Sequence, residues 1–221
     1  MDNMFIGIDP SINSTGIVIR LCDKSLREKW SKYYILKGDT HEITKKTNKL
    51  KSPLSKAELE AQKRYDNFNY ILYDKIPIEA KAASIENEYA KTTSFISLID
   101  RLIKLVSLEW QNAAAPNTYV VIEGISYGST IKTSSVFDLA GLNYMIRTAM
   151  MKFSSNLIIA PPSHVKKFAT GSGNANKELM IETFKSIHPE FDIPKIDDIA
   201  DAFFMSRLAQ RYFEQDKFLM F

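Results

Sequence analysis

Apolar runs and polar breaks divide the chain into alternating short and long elements. Met4-Phe5-Ile6-Gly7-Ile8 is an unbroken apolar run of strand length, stopped by Asp9-Pro10. Such a run reads as a strand buried on both faces, and proline cannot continue a central strand. Thr15-Gly16-Ile17-Val18-Ile19 reads as its hairpin partner after a Ser-rich turn, and Trp30 to Leu36 as a third strand. Tyr119-Val120-Val121-Ile122, ending at Glu123-Gly124, and Leu157 to Ala160, ending at Pro161-Pro162, give two more. Helices are expected from a capping box at Ser55 and Glu58 to about Tyr73, and over about 82–113 with an apolar stripe. Others are expected from Ser135 to Met151, after a cap at Ser163, from Ala175 to Ile187 and from Ile196 to about Asp216. Strands first, then alternating helix and strand, predict an α/β fold: a mixed sheet with helices on its faces. Residues 37–56 are polar, Lys-rich and aperiodic, and read as a loop or insertion.

Composition narrows the class. With 45% hydrophobic and 25% charged residues in 221, the chain is neither disordered nor a coiled-coil rod. Its single cysteine, Cys22, excludes an internal disulfide and a CxxC zinc site, and His41, His164 and His188 lack metal-ligand spacing. No apolar run reaches the ~18 residues of a membrane span. The opening MDNMFIGIDP resembles neither a signal nor a transit peptide, so a reducing cytoplasmic location is expected. The net charge is +3, yet residues 20–81 hold 15 Lys/Arg against 9 Asp/Glu, a net +6. A basic segment beside acids elsewhere suits an enzyme that grips phosphates, and equally suits a solvated Lys-rich loop.

The acids carry the chemistry. Asp9 and Glu123 each end a buried strand, the sheet edge where α/β folds gather ligands. In IDDIADAF, Asp198 and Asp201 stand three apart on one helix face, and Asp197 lies about 100° round the helix. Taken singly, each is also an ordinary turn or helix-start residue. Together they would repel unless cations lay between them. Oxygen ligands without His or Cys point to Mg²⁺ or Mn²⁺. Two such ions about 3.5–4 Å apart form a clamp for phosphoryl displacement.

Four ordered blocks resemble the RuvC-type Holliday junction resolvases, a branch of the RNase H-like nucleases. FIGIDPSINSTGIVI, YVVIEGISYGS, APPSHVKKFATGSGNANKELM and DDIADAF are similar to that family's motifs in sequence order, over about half the chain. The resemblance implies a single RNase H-like domain over 1–221, with a five-stranded mixed sheet and an insertion at about 37–81. It implies that Asp9, Glu123, Asp198 and Asp201 are catalytic acids holding Mg²⁺, with Mn²⁺ able to substitute, as two ions per site. Lys166 or Lys167, and Lys177, would contact the phosphate near the cut, and Tyr127 would stack on a junction base. The partner would be a four-way DNA junction, cut by paired nicks, and the protein a homodimer with no membrane contact. The helix of Val136 to Met151 could form the dimer contact or lie in one core. Two departures stand out: the insertion, and Asn176 where the family often has Asp. Both fit a divergent, for instance viral, member. The acids alone equally suit a nuclease for flaps or RNA–DNA hybrids. A silent junction-binding protein, and an actin-like ATPase with its own Gly-x-Asp and Thr-Gly hairpin, are further alternatives.

Overall fold

The computed structural model describes residues 1–12, 14–38, 40–44, 54–71, 75–79, 84–125 and 133–216. Eight strands and six helices follow in chain order: β1 (Asn3–Asp9), β2 (Thr15–Cys22), β3 (Glu28–Leu36), β4 (Thr40–Thr44), α1 (Lys56–Arg64), β5 (Phe68–Ile71), β6 (Lys75–Glu79), α2 (Ser84–Asn112), β7 (Asn117–Glu123), α3 (Thr133–Met150), β8 (Asn156–Ala160), α4 (Pro162–Thr170), α5 (Lys177–Ile187) and α6 (Ile196–Glu214). Six strands form one sheet in the order β5-β3-β2-β1-β7-β8. The β1–β2 and β2–β3 pairs are antiparallel, and β1–β7, β7–β8 and β3–β5 are parallel. The five strands expected from the sequence are all present, and β5 adds a sixth at the β3 edge.

Period-two alternation sorts the central strands between two cores. Met4, Ile6, Ile8, Ile17 and Ile19 face α2 and α3 through Leu98, Leu102, Leu142 and Ile146. Phe5, Val18, Cys22 and Val121 face the opposite way, onto α6 and its neighbours α4 and α5. Gly7 lets α6 lie directly on β1: a Cβ there would stand 1.9 Å from the Ala202 carbonyl oxygen. Gly16 does the same on β2, where a Cβ would meet the Asp198 carbonyl oxygen at 2.2 Å. No helix among the described residues is long and apolar enough to cross a membrane.

Three local expectations change. The helix capped by Ser55 keeps its capping box but ends at Arg64, not near Tyr73. Asp66-Asn67 turn the chain, and Phe68 and Tyr70 alternate buried with half-buried neighbours as β5. Ser163 is not a cap: Pro161 takes that position, and Pro162 starts α4 at the place where a missing N–H costs nothing. Within 37–81, β4 and β6 form a separate parallel pair where a loop was expected. Asn176 caps α5 by accepting the Leu179 N–H at 2.9 Å, a role that Asp would fill as well.

Candidate active site

β1 and β7 are parallel neighbours with Ile8 opposite Ile122, so Asp9 and Glu123 end adjacent strands at one sheet edge. Both have the odd-numbered parity of Phe5 and Val121 and therefore project on the α6 side. α6 crosses this face, burying Ile199, Ala200 and Ala202, and carries Asp198 and Asp201 half-buried over the strand ends. Two strand ends and a helix start, distant in sequence, thus bring the four acids together.

Their electrostatics show how close they are. The Asp9 and Glu123 carboxyl groups lie close enough for each to act directly on the proton affinity of the other. Burial, then the charges of Glu123, Asp201 and Asp198, hold Asp9 well above the usual carboxylate range. Burial also raises Glu123, against the pull of the Asp9 carboxyl and the Lys166 charge. Asp201 is pushed up to about 7 by burial and by Glu123, with Lys166 opposing. Asp198 is pushed up to about 6 by burial, although Ser14 Oγ donates to its Oδ2 at 2.5 Å.

Lys166 is half-buried, and its charge reaches both Glu123 and Asp201. Lys167 is exposed, and its carbonyl accepts the helix-closing N–H of Gly171. Lys177 forms an ion pair with Asp197, and its ammonium also feels Asp198 and Asp201. Burial acts most strongly and would raise Asp197, but the Lys177 contact and charge, together with a backbone N–H and Asp198, hold the carboxyl below its ordinary range. Tyr127 lies outside the described residues.

Sequence reasoning missed three supports. Ser14 holds Asp198, and the Ser-Thr-Gly turn was the available signal. Asn143 donates to the Glu123 carbonyl at 2.8 Å and is itself gripped by Arg147 at 2.6 Å, which fixes the end of β7 from α3. Asp197 is the partner of Lys177, a pairing between two helices that local spacing does not encode.

Among the described residues, no three His, Cys, Asp or Glu side chains stand as a ready-made metal cage. The donor set still fits a hard divalent cation. It is all oxygen, water is partly excluded, and each acid raises the proton affinity of the next. Binding would require the acids to be deprotonated and the side chains to draw in.

No family model and no curated protein matches the chain. Among solved structures it is similar to Thermus thermophilus RuvC in complex with a Holliday junction substrate. Identity there is 14% over 97% of this chain and 96% of that one, with a TM-score of 0.51. A Thermus thermophilus RuvC structure gives 16% identity over 98% and 97%, with a TM-score of 0.47. The yeast mitochondrial Holliday junction resolvase Ydc2 gives 12% over 97% and 85%, with a TM-score of 0.37. The mixed sheet, its flanking helices and the likeness to the junction-bound RuvC identify the fold as RuvC-like.

Proposed function

We propose that the protein is a divalent-metal-dependent endonuclease that resolves four-way DNA junctions by paired nicks, working as a homodimer. One observation carries this reading: Asp9 and Glu123 end adjacent parallel strands, near enough to Asp198 and Asp201 for all four charges to act on one another. A cluster of four half-buried acids raises the free energy of the metal-free protein and has no evident packing use.

In this reading Asp9, Glu123, Asp198 and Asp201 hold Mg²⁺, or Mn²⁺ in its place, as two ions. Such ions, when bound, acidify the attacking water and stabilise charge on the phosphate and its leaving oxygen. The chain's own residues do the rest. Glu123, kept in place through its backbone by Asn143, presents a carboxylate to the water side. Lys166 places a fixed positive charge beside Glu123 and Asp201, where a phosphate backbone would otherwise meet only acids. Lys177, partly exposed and tethered to Asp197, supplies a second cation at the rim. The water oxygen would bond to phosphorus as the phosphorus–O3′ bond breaks; the water gives one proton to solvent and O3′ takes one from it, leaving 5′-phosphate and 3′-hydroxyl ends.

A four-way junction offers two equivalent strands, and a two-fold dimer matches that symmetry. Phe137, Gly141, Tyr144 and Met151 fall on one exposed face of the N- to C-terminal run from α3, with Phe137 75% exposed. That apolar stripe, away from the Leu142 and Ile146 core face, supports a second copy docking there. The test offers the purified protein and an Asp9→Asn variant equal amounts of junction, flap, linear duplex and RNA–DNA hybrid with Mg²⁺. Symmetric nicks in the junction, absent in the variant, are expected. Equal cutting of flaps or hybrids would move the activity to a broader nuclease, and wild-type cutting by the variant would remove the metal reading.

A further inference from the structure

α6 carries two of the four acids, yet its start lacks the usual device for fixing a helix end. Lys195 occupies the N-cap in the left-handed region (φ 63°) and makes no side-chain cap hydrogen bond. Ser14 on Asp198 and Lys177 on Asp197 hold the first turn from two sides, and the remaining hold comes from the segment before it. That segment, 190–194, is gripped by two tyrosines from the α1–β5 region. Tyr65 Oη donates to the Glu190 carbonyl at 2.7 Å and accepts the Asp192 N–H at 3.0 Å. Tyr70 Oη donates to the Pro194 carbonyl at 2.5 Å, one residue before the cap.

Side chains of the same segment lock into the same body. Phe191 is buried, with its ring 5.1 Å from Tyr65 and 6.5 Å from Phe68, and Ile193 is buried too. The tyrosines themselves are braced. Glu58, buried in the first turn of α1, completes the Ser55 capping box and binds Lys37 at 2.6 Å, while the Lys37 ammonium lies 5.7 Å from the Tyr70 ring centroid. Packing along α1 is incomplete at this joint: a cavity of about 300 Å³ is bordered by Ala57, Ala61, Arg64, Ile193 and Pro194. The hydroxyl bonds span the joint beside that cavity. The acidic end of α6 is close, since the Asp198 charge is felt at the Tyr70 hydroxyl.

We infer that Tyr65 and Tyr70 are positioning residues, through which the α1–β5 segment sets the start of α6 and with it the placement of Asp198 and Asp201. This rests on the reading of those two acids as metal ligands. It gives part of the 37–81 region a role inside the site, distinct from any DNA contact made by its lysines. Tyr→Phe keeps both rings and removes only the bonds to 190–194. Supports outside the ligand shell alter metal affinity when lost, because the ligands then spend less time converged.

The test uses the full chain as Tyr65→Phe, Tyr70→Phe and the double variant, with Asp9→Asn beside them. Calorimetry measures Mn²⁺ binding per folded molecule, the folded fraction being taken from a melt. Junction affinity is measured in EDTA, and kcat is followed against Mn²⁺ concentration. The double variant is expected to bind Mn²⁺ about tenfold more weakly, to bind junction in EDTA as the wild type does, and to recover kcat at high Mn²⁺. Mn²⁺ affinity per folded molecule equal to wild type overturns the inference, even where stability falls. So does a loss of junction binding in EDTA with metal affinity intact, because that places the tyrosines in the DNA surface. If Asp9→Asn binds Mn²⁺ and cuts as wild type, the metal reading itself fails, whatever the tyrosine variants do. Should Tyr70→Phe unfold, Tyr65→Phe still reads out, because it leaves the Tyr70–Pro194 bond in place.

Discussion

At the residue scale, the acid cluster sets the stability of the metal-free protein against the metal binding proposed for it. Asp201 is held at about 7, mainly by burial, against an ordinary carboxylate value near 3.9. The folded state thus binds this proton more tightly than the unfolded chain. Its contribution to stability is full below about pH 4 and is lost as pH rises through about 7. In EDTA, Asp201→Asn is expected to raise stability at pH 8 by about 1–2 kcal/mol, a discount on the full linkage value because the side chain keeps some solvent. That is a few degrees in Tm, with little gain at pH 5. Thermal melts at the two pH values check it, and an equal gain at both would reject the electrostatic account. The two adjacent lysines divide in the same way. Lys166→Ala removes the cation that offsets Glu123 and Asp201, and should lower kcat/KM about a hundredfold. Lys167→Ala, on the exposed side of α4, should stay within about threefold. Single-turnover cleavage of a junction separates the two.

At the element scale, the site depends on how closely α6 lies on β1 and β2. Gly7→Ala would drive a methyl into the Ala202 carbonyl oxygen at 1.9 Å and the Ser206 amide nitrogen at 2.4 Å, both backbone atoms that cannot rotate away. The expected cost is about 3 kcal/mol or more, read by urea denaturation; a loss below about 1 kcal/mol would mean that α6 can lift off without penalty. The sequence made the two strand ends legible because each apolar run stops at an acid, and the Asp198–Asp201 spacing made one helix face legible. The pairing of Lys177 with Asp197 was not legible, since it depends on how α5 packs against α6 across a 190–195 turn. Nor was β5: four residues are too short for a pattern, and its strand state comes from pairing with β3 through Tyr33 to Leu36. Ser163 looked like a cap because Ser is a good one, but Pro161-Pro162 had already fixed the backbone two residues earlier. Local signals located the elements, and the contacts between elements decided which side chains meet.

At the scale of the whole molecule, the exposed stripe on α3 is where the proposed dimer would form. Phe137 and Tyr144, 75% and 62% exposed, are seven residues apart and share one face, with Gly141 between them and open space above it. The groove beside Tyr144, bordered by Ile99 and Ile103 of α2, continues the apolar surface across two helices. Arg147 stacks over the Tyr144 ring at 4.6 Å and also holds Asn143, which holds the end of β7. A dimer formed on this face would therefore abut the support of Glu123, so that association and the Glu123 strand end share one helix. Phe137→Glu with Tyr144→Glu places two charges on the stripe and should yield a folded monomer by sedimentation. The decisive readout is a supercoiled plasmid that extrudes a cruciform. The dimeric wild type should cut both strands within one binding event and give linear DNA. The monomeric variant, its four acids untouched, should give mainly nicked circles at a rate that rises with protein concentration. Linear product from a proven monomer would show that pairing of the nicks does not come from pairing of the protein.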